Sequence, residues 1–269
     1  MTDLPDELTE RAVHYLQQWE LRRDGPPMRG RCAHVLPVLR ADGTPAVLKL
    51  QDVDDETVGE PVALQAWNGD SAVRLLAADN GTLLLERLDA ERPLDDLDDT
   101  REATLVVAGL LAHLTATPAP PELRRLGDLA PRLLDRAEAA QVKEWPLLAD
   151  CAAAVREVAD EPGDRLLHWD LHFENVLAAD RAPWLAIDPK PLAGDPGFEL
   201  LPALWNRFDA DEVLWRFDAM TEVLGLDRNR ALAWTLGRVL QNAVWQVEEG
   251  NSPVPEQLDI AERLRARRG

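Results

Sequence analysis

The side chains best suited to chemistry in this chain are concentrated in one short segment that begins at His168. Asp170 and Asn175 lie five residues apart there, in the run His-Trp-Asp-Leu-His-Phe-Glu-Asn, and Asp188 follows thirteen residues later. Two short apolar runs separated by an Asp-Arg turn connect Asn175 to Asp188, which is the pattern of a β-hairpin. The segment therefore predicts an acid on a loop, followed by a hairpin with an amide at one end and an acid at the other.

This arrangement favours phosphoryl transfer. The ends of paired antiparallel strands lie side by side, so Asn175 and Asp188 are expected to reach one cation. Hard oxygen ligands suit Mg²⁺, which takes one or two protein ligands together with phosphate oxygens. Asp170 is placed to accept the proton of a substrate hydroxyl, or to orient that hydroxyl. The spacing parallels the catalytic loop and metal-binding aspartate of kinases, whereas the alternative is a turn with incidental Asp and Asn residues.

The two histidines of the segment have different expected roles. A metal role would require further ligands at a suitable spacing, and none stands out in the sequence. We expect His168 to brace the loop through a hydrogen bond between its ring and the backbone. His172 is expected to be structural rather than catalytic.

A lysine near the start of the chain has the pattern of a phosphate-binding residue. Lys49 lies in an apolar run and is one of only three lysines among 29 basic residues. A buried stem with a directed ammonium is typical of the strand lysine that holds the α- and β-phosphates in kinases. The alternative is an edge lysine that protects a strand from aggregation. Glu60 is the first candidate to pair with this ammonium and Glu56 the second, both on a predicted helix over 56–67.

Other nucleotide contacts have weaker signals. Gly30 precedes the first long predicted strand, and its backbone amides could approach a phosphate, although a plain turn fits equally well. Glu86 and Leu88 follow the run Leu83–Leu85, where a hinge could offer backbone groups to an adenine, and an ordinary strand end is the alternative. The chain lacks the P-loop motif, which argues against a P-loop kinase.

Apolar spacing predicts the elements that position these residues. Runs at 33–39 and 45–50 flank an Asp-Gly turn and predict a hairpin, and strands are predicted at 72–76 and 82–88. Helical spacing occurs at 4–20, 100–116, 127–140, 146–160, 199–208, 211–225, 229–249 and 255–267. The predicted fold class is therefore α+β, with a small strand-rich N-terminal lobe over 1–87 that binds nucleotide. A larger, mainly helical lobe over 88–269 would carry the catalytic loop and the acceptor site.

The composition of the chain limits the classes of ligand and partner that can be expected. The net charge is −20, which disfavours nucleic acid and would favour a cationic substrate. Cys32 and Cys151 form no disulfide framework, and no long apolar stretch predicts a membrane span. The N-terminal sequence lacks an apolar core typical of a signal peptide, so a cytoplasmic location is expected. A monomer is the expected state, with a dimer as the alternative.

Longer stretches of the chain resemble a known family. The most specific are His168-Trp169-Asp170-Leu171-His172, Ile187-Asp188-Pro189 and Gly194-Asp195-Pro196-Gly197-Phe198, with further stretches at 19–25, 37–44, 84–89, 234–236 and 240–242. On these residues the chain resembles the aminoglycoside/hydroxyurea antibiotic-resistance kinases. The resemblance covers most of the sequence and implies a two-lobed, protein-kinase-like fold.

The resemblance also implies roles for individual residues. Asp170 would be the base, Asn175 and Asp188 the magnesium ligands, and Lys49 the residue that holds the phosphates of ATP. Two acidic positions, Asp195 and Glu199, match family positions near the acceptor pocket. Carboxylates there would pair with the guanidinium groups of a cationic aminoglycoside, and the alternative is that both simply cap and complement a helix start.

The implied reaction is transfer of a phosphoryl group from ATP to a hydroxyl, with the 6-hydroxyl of streptomycin as the first candidate. Antibiotic resistance would then be the biological role. One alternative is a kinase of the same fold that acts on another small hydroxylated or aminated metabolite. Another is a nucleotide-binding protein without turnover, which the presence of Asp170, Asn175, Asp188 and Lys49 disfavours.

Overall fold

A computed structural model describes residues 6–30, 33–140 and 145–267. The strands are β1 Arg22–Arg23, β2 Met28–Arg29, β3 Ala33–Leu39, β4 Pro45–Gln51, β5 Leu75–Asp79, β6 Thr82–Glu86, β7 Asp89–Pro93, β8 Arg165–Leu167, β9 Val176–Ala178, β10 Trp184–Ala186 and β11 Leu192–Gly194. The helices are α1 Asp6–Gln18, α2 Glu60–Trp67, α3 Thr100–Leu114, α4 Leu126–Ala139, α5 Pro146–Val158, α6 Leu200–Trp205, α7 Val213–Val223, α8 Arg228–Glu248 and α9 Pro255–Arg265.

Most of the strands in the first part of the chain form one antiparallel sheet. Within the described residues its order is β1-β3-β4-β6-β5, and β2 pairs with the other end of β3. The predicted hairpin at 33–39 and 45–50 is β3 and β4, and Gly43 in its turn adopts φ +83°. Lys49 on the central strand β4 lies between Val35 of β3 and Leu83 of β6. The lysine is thus not on a sheet edge, which excludes the alternative role of an edge guard.

The two faces of this sheet belong to different apolar clusters. One face packs against α1, where Ala12 and Tyr15 belong to the same buried cluster as Val38 and Leu48 of the sheet. The other face and α2 join a larger cluster that continues through the helices of the second part of the chain. The predicted lobe boundary at 87/88 stays a prediction, but the larger core is not divided at that position.

The predicted helices are found with small shifts at their ends. The helix expected over 56–67 begins at Glu60, after a turn that contains Glu56, because Pro61 favours the first helical turn. The helix expected over 199–208 is a 3₁₀ turn, Pro196–Glu199, followed by α6. The strand expected at 72–76 begins only at Leu75. Residues 4–5 of the first predicted helix lie outside the described residues, as does Cys32.

A close contact between α5 and α8 organises the helical part. A Cβ atom at Gly237 would lie 2.8 Å from Val155 Cγ2, so a larger residue there would displace Val155 or move the helices apart. Much of α8 is buried, including Trp234 and Arg238. None of the helices in the described ranges is long and apolar enough to cross a membrane. The observed architecture is therefore α+β, as predicted, with strands concentrated in the first part and helices in the second.

Two short sheets hold the chemistry-bearing segment. The hairpin β9–β10 pairs Val176 with Ala186, and β7 extends it on the β9 side. Beneath the loop that precedes the hairpin, β8 and β11 pair antiparallel, with Leu167 opposite Leu192. The segment from 168 to 191 is thus anchored at both ends by the strand pair β8–β11, which the sequence patterns did not predict.

Candidate active site

Lys49 stands at the centre of a cluster of buried charges. Its ammonium lies 2.7 Å from each carboxylate oxygen of Glu60, and it also contacts Oδ1 of Asp188. Glu60 at the start of α2 is 1% exposed and accepts a further hydrogen bond of 2.6 Å from Gln51. Of the two predicted partners, the structure therefore joins Lys49 with Glu60, and Glu56 lies elsewhere.

Lys49 and Asp188 each favour the charged form of the other, whereas burial raises the pKa of the Glu60 carboxyl. Burial alone would lower the pKa of the Lys49 ammonium, but the carboxylates of Glu60 and Asp188 outweigh burial and raise that pKa. Partial burial would raise the pKa of the Asp188 carboxyl, and the ammonium of Lys49 more than compensates and lowers it. At neutral pH the cluster thus presents a cation and an ionised carboxylate, with the Asp188 side chain 42% exposed towards solvent.

His168 braces the loop from a fully buried position. Its Nε2–H donates to the carbonyl of Ile187 over 2.9 Å, and its Nδ1 accepts from the Asp170 amide over 3.4 Å. Burial lowers the pKa of His168 to about 4, so the ring is neutral at pH 7. A neutral ring with its proton on Nε2 satisfies both hydrogen bonds, which is the geometry expected of a bracing residue. Its functional importance remains a prediction.

Asn175 fixes the loop relative to the hairpin. The side-chain Nδ2 of Asn175 donates to the backbone carbonyl of Asp170 over 2.8 Å. The backbone carbonyl of Asn175 accepts from the backbone amide of Ile187 over 2.9 Å. The ends of the hairpin therefore lie side by side, so that Asn175 and Asp188 are brought together as the spacing predicted. The Asp170 carboxylate is held by Lys190, whose ammonium lies 2.9 Å from Asp170 Oδ2.

The donor set at the hairpin ends fits a magnesium ion. The nitrogen of the Asn175 amide is used within the protein, and Oδ1 is the hard donor that would face a cation. The partly exposed Asp188 carboxylate supplies the second hard donor. Among the described residues no group of three or more His, Cys, Asp or Glu side chains could hold a metal.

The predicted acceptor-binding role of Glu199 is not supported by its position. Glu199 is fully buried, and its carboxylate accepts hydrogen bonds from the backbone amides of His168 and Trp169. Burial raises the pKa of this carboxyl to about 7. Glu199 therefore supports the loop from below and has no contact with the cleft described next.

Asp195 is likewise engaged within the protein. Its Oδ1 accepts from the Gly197 amide over 2.8 Å, and its Oδ2 accepts from Arg230 over 2.6 Å. This carboxylate caps the 3₁₀ turn Pro196–Glu199, which is the geometry of the alternative considered from sequence, and the acceptor-binding role of Asp195 stays a prediction. The direction of both side chains depends on how α8 packs, which local sequence does not specify.

The exposed side of the loop borders a cleft of about 270 Å³. It is lined by Asp170, His172, Glu174, Leu201, Pro202, Trp205, Asn206, Arg207, Arg238 and Asn242. A surface hollow of about 330 Å³ between α5 and α9 is larger, but its lining from Trp145 to Glu262 includes none of the loop residues. The cleft beside Asp170 is therefore the candidate acceptor site.

Two arginines stack on a tryptophan within the loop. The guanidinium carbons of Arg124 and Arg238 lie 4.0 and 4.1 Å from the centre of the Trp169 ring. Trp169 itself adopts φ +70°, an uncommon conformation for a bulky residue. The stack and the Glu199 hydrogen bonds hold the loop in this conformation, which presents Asp170 to the cleft.

The remaining predicted nucleotide contacts are placed around the sheet. The Gly30 amide, just after β2, donates to the Ala33 carbonyl at the start of β3 over 2.8 Å. The Glu86 carboxylate, at the end of β6, accepts from Arg181 and from the Arg74 amide. Leu88 packs against the larger core. Roles for these three residues in nucleotide binding stay predictions.

Sequence reasoning missed Lys190 and the stacking arginines. Lys190 lies two residues after Asp188 and is one of the three lysines of the chain, so its rarity was the available signal. Arg124 and Arg238 are far from the loop in sequence and carried no signal. Their contacts become visible only when α4 and α8 are packed against the loop.

The fold and this site define the class as a protein-kinase-like phosphotransferase. The GDP complex of aminoglycoside 2'-phosphotransferase-IIIa has the same fold, with a TM-score of 0.60 and 14% identity over 98% of this chain and 100% of that one. Residues 18–250 match the family model of the aminoglycoside/hydroxyurea antibiotic resistance kinases, and the chain belongs to that family. It is therefore a small-molecule kinase, as the sequence predicted.

Two relatives in this family are similar over nearly the whole chain. A hydroxyurea phosphotransferase of Kitasatospora aureofaciens is 60% identical, over 97% of this chain and 80% of the relative. A streptomycin 6-kinase of Streptomyces glaucescens is 52% identical, over 93% of this chain and 87% of the relative. The family is thus established, and its members act on chemically different acceptors.

Proposed function

We propose that the protein transfers the γ-phosphoryl group of ATP to a hydroxyl of a small molecule bound in the cleft beside Asp170. The observation that carries this proposal is the position of the loop. Its Asp170 side chain lines the cleft, while the hairpin that follows brings Asp188 to the ammonium of Lys49. An acceptor site and a phosphate-binding site therefore meet at one loop.

The chemistry assigned to the loop is a single displacement. The acceptor oxygen attacks the γ-phosphorus, the bond from phosphorus to the bridging oxygen breaks, and ADP leaves with that electron pair. Asp170 receives the hydroxyl proton as the new bond forms. The neutral His168 holds the Asp170 amide, and Asn175 holds its carbonyl, so the base is fixed on both sides.

The nucleotide side is assigned to the buried cluster. Lys49 would neutralise the α- and β-phosphates, with Glu60 fixing the direction of its ammonium. Asn175 and Asp188 would hold magnesium. That ion, when bound, screens the charge of the phosphates and favours departure of ADP.

Streptomycin, through its 6-hydroxyl, is the first proposed acceptor. The cleft presents the exposed carboxylate of Glu174, which can pair with a guanidinium group of the streptidine ring while Asp170 serves as the base. At about 270 Å³ the cleft is just smaller than typical pockets for drug-sized ligands, which are about 300–1,000 Å³. It therefore suits one ring of a large aminoglycoside, with the rest of the molecule outside.

Hydroxyurea is a second candidate acceptor, and two observations favour it. The relative named for this activity shares 60% identity with the chain. The cleft also contains Arg207 and Arg238, whose guanidinium groups oppose the binding of a cation and tolerate a small neutral molecule. Hydroxyurea would fit entirely inside the cleft.

The test measures magnesium-dependent ADP formation with streptomycin, dihydrostreptomycin, kanamycin, hydroxyurea or no acceptor. Turnover with the streptomycins alone supports the first acceptor, and turnover with hydroxyurea alone supports the second. Nucleotide binding without turnover on any compound would contradict both and leave a metabolite kinase or a non-catalytic protein.

A variant of the proposed base tests the mechanism. Asp170→Asn keeps the shape of the side chain and removes the proton acceptor, so kcat should fall about 1,000-fold while ATP still binds. Asp180→Asn makes the same chemical change in the exposed turn between β9 and β10, outside the cleft, so it is the matched control and should turn over like the wild type. Turnover of Asp170→Asn close to that of the wild type would remove Asp170 from the mechanism.

A further inference from the structure

Lys190 is the one described cation whose contact holds the side chain of the proposed base. Its ammonium lies 2.9 Å from Asp170 Oδ2 and 4.0 Å from Glu56 Oε2. The backbone of Asp170 is fixed by His168 and Asn175, but neither residue holds the carboxylate. The direction of the carboxylate is therefore set by Lys190.

The backbone of Lys190 is itself held firmly in place. Its amide donates to the His168 carbonyl over 3.0 Å, and its own carbonyl accepts from Arg124 over 3.2 Å. Pro189 and Pro191 flank it, and a following proline restricts the preceding residue to extended conformations. Few backbone torsions remain free, so the ammonium is directed at Asp170 from a rigid base.

The charges around the loop give this ammonium a second effect. Asp170, Asp188 and Glu56 place three carboxylates around the segment into which a phosphoryl group must enter. Lys190 contacts two of them, and Lys49 contacts the third. Without Lys190, the acceptor side of the loop would repel the negatively charged phosphoryl group.

We propose that Lys190 is a positioning residue for phosphoryl transfer, whose ammonium holds the Asp170 carboxylate against the acceptor hydroxyl; the proposal rests on the function proposed above. The step is the one already described. The hydroxyl oxygen bonds to the γ-phosphorus, ADP leaves with the electron pair of the broken bond, and the hydroxyl proton moves to Asp170. Lys190 exchanges no atom in this step and acts through the orientation of the base.

The test compares Lys190→Met, Lys190→Gln and Lys190→Arg with the wild type. A matched control is Arg92→Met, which removes one positive charge from an exposed ion pair with Asp89. The readouts are kcat, the KM values for ATP and acceptor, and the melting temperature. The two neutral variants distinguish loss of the ammonium from a packing defect of one particular side chain.

Both neutral variants should lose about 100-fold in kcat, with KM values within about 3-fold of the wild type. The melting temperature should stay within about 4 °C, since the pair is partly exposed. The kcat of Lys190→Arg should be at least about tenfold higher than that of the neutral variants, because arginine keeps the positive charge with an altered geometry. Arg92→Met should behave as the wild type.

Three results would overturn the proposal. The first is a kcat of the neutral variants close to that of the wild type. The second is a raised KM for ATP with unchanged kcat, which would make Lys190 a binding residue for phosphate. The third is equal loss in the arginine and neutral variants.

Failure of the proposed function is recognised in the wild type. If the wild type used none of the acceptors but hydrolysed ATP, the proposed acceptors would be wrong. The same variants would then be compared in their rates of ATP hydrolysis, and a lower rate in the neutral variants would support the proposal. No ATP turnover of any kind in the wild type would overturn both.

Discussion

Two lysine–carboxylate pairs lie on either side of the proposed reaction centre, and they differ in burial. The side chains of Lys49 and Glu60 are 6% and 1% exposed, whereas those of Lys190 and Asp170 are each 25% exposed. A buried charge that loses its partner is strongly unfavourable, whereas a partly exposed charge regains water. The first pair is thus coupled to folding, and the second is free to serve the reaction with little effect on stability.

The largest expected effect tests the buried pair. Lys49→Met leaves the Glu60 carboxylate buried without its cation, and the free energy of unfolding should fall by about 3 kcal/mol. Urea denaturation followed by circular dichroism measures this loss. Lys190→Met, the matched change in the exposed pair, should cost about 1 kcal/mol or less. Equal losses in the two variants would contradict the contrast in burial.

A second effect concerns the buried ring between the two pairs. The pKa of His168 is about 4 in the folded protein, against about 6.5 in an unfolded chain. Below pH 6.5 the unfolded chain therefore binds a proton that the folded protein does not, so stability falls as the pH is lowered towards 4. Between pH 7 and pH 5 this loss amounts to about 2 kcal/mol.

The variant His168→Gln isolates that effect. Its stability should depend less on pH by about 2 kcal/mol between pH 7 and pH 5, measured by urea denaturation at both values. Glu199, whose pKa is raised to about 7, titrates in the opposite sense, but it is present in both proteins and cancels in the difference. An unchanged pH dependence in the variant would show that the ring is not buried in neutral form.

The smallest expected effect concerns an ion pair that connects the hairpin to the sheet. Arg181 in the β9–β10 turn binds Glu86 and donates to the carbonyls of Gly69 and Ala72 over 2.6 and 2.8 Å. Arg181→Met should lower the free energy of unfolding by about 1 kcal/mol, because the pair is partly exposed. Arg92→Met is the control and should have a smaller effect. A loss of unfolding free energy as large as that of Lys49→Met would show that the pair of Arg181 and Glu86 behaves as a buried ion pair.

Much of the fold was predictable because it is encoded locally. The Asp-Gly turn predicted the β3–β4 hairpin, and the apolar runs around Asp180-Arg181 predicted β9 and β10. The strands β8 and β11 were missed, because each is only three residues long and buried. Their pairing joins Leu167 to Leu192 across an intervening loop and hairpin, and no local pattern specifies such a contact.

The contacts of the candidate site likewise fall into those that local sequence encodes and those that depend on tertiary packing. The proximity of Asn175 to Asp188 follows from a hairpin, and the pairing of Lys49 with Glu60 follows from an apolar strand next to a helix that begins with an acid. Glu199 could not be placed from sequence, since an acid at a helix start is compatible with either a solvent-exposed or a buried position. Lys190 was also missed, because its contact with Asp170 requires the loop to fold back against the end of the hairpin.

The undivided apolar core has a consequence for recombination between relatives. Trp67 of α2 donates its indole N–H to the carbonyl of Leu114 at the end of α3 over 3.0 Å, and its ring lies 6.2 Å from that of His168. A chimera that exchanged residues 1–87 between two family members would place one parent's α2 in the other parent's core. A crossover at that position would therefore keep the core intact only if the contacts around Trp67 were preserved.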